Sequence, residues 1–166
     1  MDAFEALLTR RSVRSFKDKP VPKDILEKIA DAGRFAATAR NVQPWEFVVV
    51  TNRDTLKKLA GLAETGRFIA EAAACVAVFS SDTKYYLEDG CAATQNIMLA
   101  ARAEGVGSCW VAGDKKPYCQ DVADLLSAPA SYKLVSLIPL GYPEANDAFF
   151  AAEKKDLKGM LHWEKF

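Results

Sequence analysis

The chain has 166 residues, half of them hydrophobic, which is enough apolar material for one domain with a substantial core and argues against disorder. Its 22 Lys+Arg balance 22 Asp+Glu at a formal charge of zero, which excludes a general nucleic-acid binder with a basic excess and leaves any charge-based role to local clusters. No apolar run approaches the about 20 residues of a membrane-spanning helix, and no basic stretch followed by an apolar one opens the chain. The expectation is a cytoplasmic protein without membrane contact.

Asp2 is predicted to cap a short helix through Leu8, with Phe4, Leu7 and Leu8 on one side. That helix delivers the chain to Arg10-Arg11-Ser12-Val13-Arg14-Ser15-Phe16, where three guanidinium groups and two hydroxyls are crowded together. Arginine matches a phosphate through its planar fork, so the cluster suits a phosphate group. Arginines at a helix C-terminus also simply complement the helix dipole, and the residues alone leave both readings open. Pro20 and Pro22 break the chain, and a second helix is expected from 23 to about 37, with Ile25, Leu26, Ile29, Gly33 and Ala36 on its buried side.

The polar stretch 37–45 reads as a stiff loop, because Pro44 should hold Gln43 extended. It displays Thr38, Arg40, Asn41 and Gln43, donors and acceptors that suit a flat heterocycle with mixed edges or an ordinary turn. A strand of β-branched and aromatic residues follows at 46–51. Asn52 is then expected to cap a helix over 53–62, with a further helix over 67–73 and an apolar strand over 74–79.

The organising stretch is predicted as one helix over 84–104, with no charged residue from Gly90 through Ala101. A helix with so little polarity is expected to be buried on all sides, through a domain or between two subunits, and its Gly90, Ala92, Ala93, Ala100 and Ala101 would admit a close neighbour. Gly105 stops it, and 106–112 reads as a buried strand. An amphipathic helix is expected over 115–126, with Val122, Leu125 and Leu126 inward, and a last buried strand over 133–141. The tail 146–166 carries Phe149, Phe150, Leu157, Met160, Leu161, Trp163 and Phe166, more than a surface tail would, and is predicted to pack, with a second subunit as one surface for it.

Cys75, Cys91, Cys109 and Cys119 include no Cys-x-x-Cys, and there is one histidine, so neither a zinc site nor a disulfide scaffold is expected. The thiols read as structural. With no internal repeat and no low-complexity linker, residues 1–166 are read as one domain.

The run Arg10 to Phe16 resembles the amino-terminal signature of the FMN-dependent nitroreductase family. Asn41-Val42-Gln43-Pro44-Trp45-Glu46-Phe47 is similar to that family's Asn-x-Gln-Pro-Trp loop. Ala93-Thr94-Gln95-Asn96-Ile97 and Gly105-Val106-Gly107-Ser108-Cys109-Trp110 resemble its central helix and following strand, and Leu140-Gly141-Tyr142-Pro143 and His162-Trp163-Glu164 also resemble its members. Counting Asp89 to Trp110 as one, the five stretches keep the family's order over nearly the whole chain.

The resemblance implies an α+β fold, an α/β sandwich around a mixed, mainly antiparallel sheet, in an intertwined homodimer whose tail 146–166 reaches the partner. FMN would lie between the subunits. Arg10 and Ser12, with Arg11, would take its phosphate and ribityl chain, and Arg14 would stand near the pyrimidine edge. Asn41, with Thr38 and Ala39, would meet the ring from the other subunit, although Ala37 and Thr38 stand where relatives frequently have Pro-Ser. The backbone of Ala112 and Gly113 would lie beside the ring, and Lys154 or Lys155 would support the phosphate. NADH or NADPH would reduce the flavin, and a small planar oxidant such as a nitroaromatic or quinone would reoxidise it in the same cleft. No side chain is assigned as a catalytic acid or base; Arg14 would tune the flavin electrostatically. Tyr118, Phe149 and Phe150 are candidates to flank the substrate, and His162 is expected to be a packed structural residue. Two alternatives differ in class: a flavin carrier that ignores nicotinamides, and a phosphoanion-binding regulatory module without flavin.

Overall fold

A computed structural model describes residues 1–166. Its centre is a sheet in which β1 (Trp45–Val50), β2 (Ala74–Ser81), β5 (Tyr132–Gly141) and β3 (Gly107–Ser108) lie side by side in that order, with β4 (Val111–Ala112) also paired to β5. Every ladder is antiparallel, and the one parallel element is the isolated bridge Ser12–Ser108.

β2 is buried on both faces, which is why its sequence reads as an unbroken apolar run rather than an alternation. The period of two still sorts its side chains. Cys75, Ala77 and Phe79 join the core beneath α3 (Arg53–Leu62) and α5 (Cys119–Leu125). Ala74, Val76 and Val78 join the core beneath α2 (Lys23–Gly33) and α4 (Tyr86–Ala103). Helices on both faces of one sheet make the α+β sandwich that the resemblance implies.

One irregularity shapes the side that faces α4. Val78 pairs with Ser136 and Phe79 with Leu134, so Val135 is an extra residue in β5. This bulge turns Val135 and Ser136 toward α4 in succession. Val135 presses on Gly90, where an added Cβ would lie 2.6 Å from its Cγ2, and Ser136 shares a 2.8 Å hydrogen bond with Thr94. The bulged carbonyl of Val135 accepts from the amides of Gly113 at 3.0 Å and Asp114 at 3.3 Å. Thus the bulge fixes both α4 and the end of β4.

The helices begin as their caps dictate: Asp2 accepts from the Glu5 amide at 2.8 Å at the start of α1 (Ala3–Thr9), and Asn52 accepts from the Thr55 amide at 3.0 Å at the start of α3. Other expectations need correction. α2 stops at Gly33, because that residue is wedged against Phe47 and Ile97 and the chain leaves through short turns. The helix expected over 67–73 is a 3₁₀ segment, Glu64–Glu71, kinked at Gly66. The strand expected over 106–112 is interrupted at Cys109 and Trp110, although both halves keep one register along β5. α5 starts only at Cys119, after Lys115 at φ 61° and Pro117.

The central helix is covered on its inner face and only half-buried at Cys91, Ala92, Gln95, Asn96, Leu99 and Ala100, so one chain does not bury it on all sides. Nor does the tail pack on its own chain beyond Ala152. Trp163 is 80% exposed, and His162, expected to be packed, is exposed and stacks only on Phe166 at 4.4 Å. α1 repeats the pattern, with Phe4 77% exposed and Leu7 and Leu8 also in the open.

Candidate functional site

The arginine segment adds itself to the free edge of the sheet. Ser12 bridges Ser108 in parallel, and the Val13 amide donates to the Ser108 carbonyl at 2.9 Å. Val13 and Phe16 anchor the segment in a small core with Ala72, against which Phe149 packs. Apolar anchors alternating with polar residues therefore pin the backbone and leave Ser12 and Arg14 exposed.

The arginines differ sharply in what they do. Arg10 is half-buried, and its Nη1 is fully enclosed with no hydrogen-bond partner. Burial, and then the neighbouring Arg11 charge, lower its pKa. An enclosed cationic donor without a partner is costly, and an anion at that point would relieve the cost. Arg11 is occupied within the chain: Nε donates to the Phe150 carbonyl, Nη2 to the Leu8 carbonyl, and the guanidinium lies 5.3 Å from the Phe150 ring centre. Arg14 is only loosely held, with Nη1 3.5 Å from the Ser12 carbonyl and its guanidinium 5.9 Å from the Phe68 ring.

Arg102, near the end of α4, ties this region together and was not singled out by sequence. Its Nε donates to the Thr9 hydroxyl at 2.9 Å, and its guanidinium lies 4.2 Å from the Phe149 ring. Phe149 and Phe150 are thereby brought beside the arginine segment. Lys154 and Lys155 lie beyond them in the exposed tail without an ion-pair partner.

The loop 38–43 lies at the opposite end of α4. There Asp89, 6% exposed, accepts from the Thr38 hydroxyl at 2.8 Å and the Ala39 amide at 3.2 Å. Gln43, expected to be extended, instead takes φ 52°, and its amide donates to Thr38 Oγ1 at 3.1 Å. The Thr38 hydroxyl is therefore engaged in bracing the loop. Asn41 Oδ1 accepts from the Gln43 side chain at 3.2 Å, which leaves the Asn41 amide group to point elsewhere.

Arg102 and Asp89 are 13 positions apart on one helix, about 20 Å at the usual rise, so one chain does not bring the arginine segment and the loop together. β3 and β4 span the interval, running from Ser108 beside Ser12 to the Ala112–Gly113 end. At that end Gly113 is required by the sheet itself: a Cβ would meet Leu134 at 2.7 Å and the Val135 backbone at 2.8 Å. Tyr86 Oη donates to Asp114 at 2.8 Å, and this bond, with burial, pushes the phenol up to about 12.

Tyr118, a candidate to flank the substrate, is 7% exposed, its ring joins the core and its hydroxyl donates to the Ala112 carbonyl, while its outer edge lines a surface pocket with Thr65 and Pro117. Cys119 Sγ bonds the Gly113 carbonyl in the same way, so both carbonyls at the strand end are already taken. All four cysteines are free, and burial raises the thiol pKa of Cys75 to about 12.

Fold and site together define a protein with helices on both faces of an antiparallel sheet, an anion-seeking arginine segment on the sheet edge, and a braced polar loop. The chain belongs to the nitroreductase family, whose description matches residues 7–86 and 67–142. It is 33% identical over 99% of both chains to an Archaeoglobus fulgidus protein provisionally named NADH dehydrogenase/NAD(P)H nitroreductase. A solved structure from Parabacteroides distasonis, with the same provisional name, superposes with a TM-score of 0.92 at 30% identity, covering 99% of this chain and 98% of that one. A solved structure described as an FMN-dependent nitroreductase of Clostridium difficile superposes at 0.90 with 27% identity, covering 98% and 99%. No helix is long and apolar enough to cross a membrane.

Proposed function

We propose that this chain is an NAD(P)H-dependent FMN oxidoreductase that reduces nitroaromatics, quinones or similar planar acceptors as a homodimer. The observation that carries the reading is the enclosed, unpartnered Nη1 of Arg10, two residues before the exposed Ser12 that bridges the sheet edge. Arg10 and Ser12 would bind the FMN phosphate and ribityl chain, Arg11 would contribute its charge while its guanidinium stays held by the Leu8 and Phe150 carbonyls, and Lys154 or Lys155 would add positive charge. Relatives with FMN and NAD(P)H in their names favour the same cofactor and reductant.

When bound, FMN supplies a hydride acceptor that becomes the reductant of the second substrate. The chain's own residues provide position and charge. Arg14 would place a cation near the pyrimidine edge of the bound ring and stabilise negative charge there. Asn41 would offer its side-chain amide to the ring, with Thr38 and Ala39 bracing the loop behind it, and the backbone of Ala112 and Gly113 would lie beside the ring. Reduced nicotinamide and oxidant would use the one cleft in turn, a ping-pong order, with Phe149 and Phe150 beside it.

The homodimer rests on two features of the single chain. The arginine segment and the loop stand at opposite ends of α4, so a site using both needs the loop of a second copy. The apolar residues of α1 and the tail are uncovered, as an interface would require. Residues 1–166 then act as one flavin-binding domain, with 146–166 lying on the partner. The test is the visible spectrum of purified protein mixed with FMN. A bound-flavin spectrum that bleaches anaerobically with NADH or NADPH and returns with a nitroaromatic or quinone is expected; absence of FMN binding overturns the reading, and bound flavin inert to both nicotinamides overturns its enzymatic part.

A further inference from the structure

The loop 38–43 holds a shape that its own sequence does not favour. Arg40 and Gln43 stand at φ 55° and 52°, in the left-handed region that such residues rarely adopt, on either side of the pair Asn41 and Val42, of which Asn41 at φ 57° takes that region readily. Local bonds within the loop, from the Asn41 amide to the Thr38 carbonyl at 3.3 Å and from the Val42 amide to the Ala39 carbonyl at 3.1 Å, close single turns but do not fix it to the protein. A loop in such a conformation persists only where its surroundings determine it.

Asp89 is that surrounding. Its Oδ2 accepts from the Thr38 hydroxyl and its Oδ1 from the Ala39 amide, and the same hydroxyl accepts from the Gln43 amide. One carboxylate thus secures the start of the loop directly and its end through Thr38. The carboxylate lies in the first turn of α4, where unpaired helix amides favour a negative charge, and α4 is itself fixed by Val135 and Ser136 of the bulge.

We infer that Asp89 is a positioning residue that locks loop 38–43 in the conformation that meets the flavin ring. The inference rests on the function proposed above. It acts through Thr38 and Ala39 and presents the free amide of Asn41.

Hydrogen exchange of the apo-protein tests the clamp without cofactor. In Asp89→Ala the Ala39 and Gln43 amides should exchange at least about tenfold faster while those of β2 and β5 keep their protection, and FMN should dissociate about tenfold more readily with an altered visible circular dichroism. Asp89→Asn, which can still accept from Ala39, should fall between the two in both readouts. Should Asp89→Ala fail to fold, Thr38→Val carries the test, because it should free the Gln43 amide while leaving Ala39 protected. Unchanged exchange in these variants overturns the clamp, and faster exchange with unchanged FMN affinity and dichroism overturns its role toward the flavin. A wild-type chain that takes up no FMN overturns the functional reading instead, and exchange then still decides whether Asp89 holds the loop.

Discussion

The middle of the sheet and the two ends of the chain follow opposite rules. In β2 and β5 nearly every side chain is buried, and the buried hydroxyls of Thr94 and Ser136 find each other at 2.8 Å. In α1 and the tail, Phe4, Leu7, Leu8, Leu157, Met160 and Trp163 are left in the open. The difference teaches that the sandwich folds around its own core, whereas the apolar residues of the ends find no cover within the single chain. Arg10, capping α1 at the sheet edge, stands at the junction of the two regimes.

The strongest way to break the comparison is at its buried pole. Leu137 is completely buried between β2 and the helices α3 and α5. Leu137→Ala should cost about 2–5 kcal/mol of stability, from lost burial plus the residual cavity, measured as a lowered urea midpoint at constant slope. A cost under about 1 kcal/mol would mean that the core is not the self-sufficient region described.

Much of this buried region was legible because its signals are local. Asn52 announces its helix by capping it, the charge-free run of α4 marks a helix close to its observed bounds, and the apolar runs of β2 and β5 announce strands covered on both faces. What was illegible depends on distant partners. Nothing near Val135 signals a bulge, which arises where β5 must serve β2, α4 and β4 together. Pro44 suggested an extended Gln43, but the Thr38 hydroxyl draws that amide into a left-handed turn. Asp89 was not singled out, and the burial of Tyr118 was not foreseen, because burial by other elements leaves no trace in their neighbours.

At the junction, Arg10→Ala should weaken FMN binding about 10- to 100-fold, read by fluorescence titration, with the fold preserved by circular dichroism. Removing an enclosed donor that lacks a protein partner should also leave stability nearly unchanged or slightly higher without FMN. Unaltered affinity would return the arginine segment to a solvated structural role.

A smaller effect separates dry core from surface through pH. Burial disfavours the thiolate and pushes the folded Cys75 thiol up to about 12, against 9.0 for an unperturbed thiol. Between these values the unfolded chain has lost the proton and the folded chain retains it, so stability is complete below about 9 and falls as pH rises, by about 1.4 kcal/mol per unit from this group. Urea titrations at pH 8 and 10 should show the loss, and Cys75→Ala should flatten its slope.

The smallest effect on the chain's own stability is expected at the exposed pole, and it is the sharpest test of what the ends are for. Trp163 is 80% exposed, so Trp163→Ala removes almost no burial within one chain and should change the stability of the isolated subunit by less than about 0.5 kcal/mol. If the tail lies on a second copy, the same substitution strips a large aromatic contact from an interface, where such residues carry a disproportionate share of binding energy. Sedimentation equilibrium should then show a weakened dimer, and wild-type stability should depend on protein concentration more steeply than that of the variant. A wild-type chain that is monomeric at all concentrations, or a variant that associates as tightly as wild type, would leave the exposed apolar residues without this partner and separate the tail from the site.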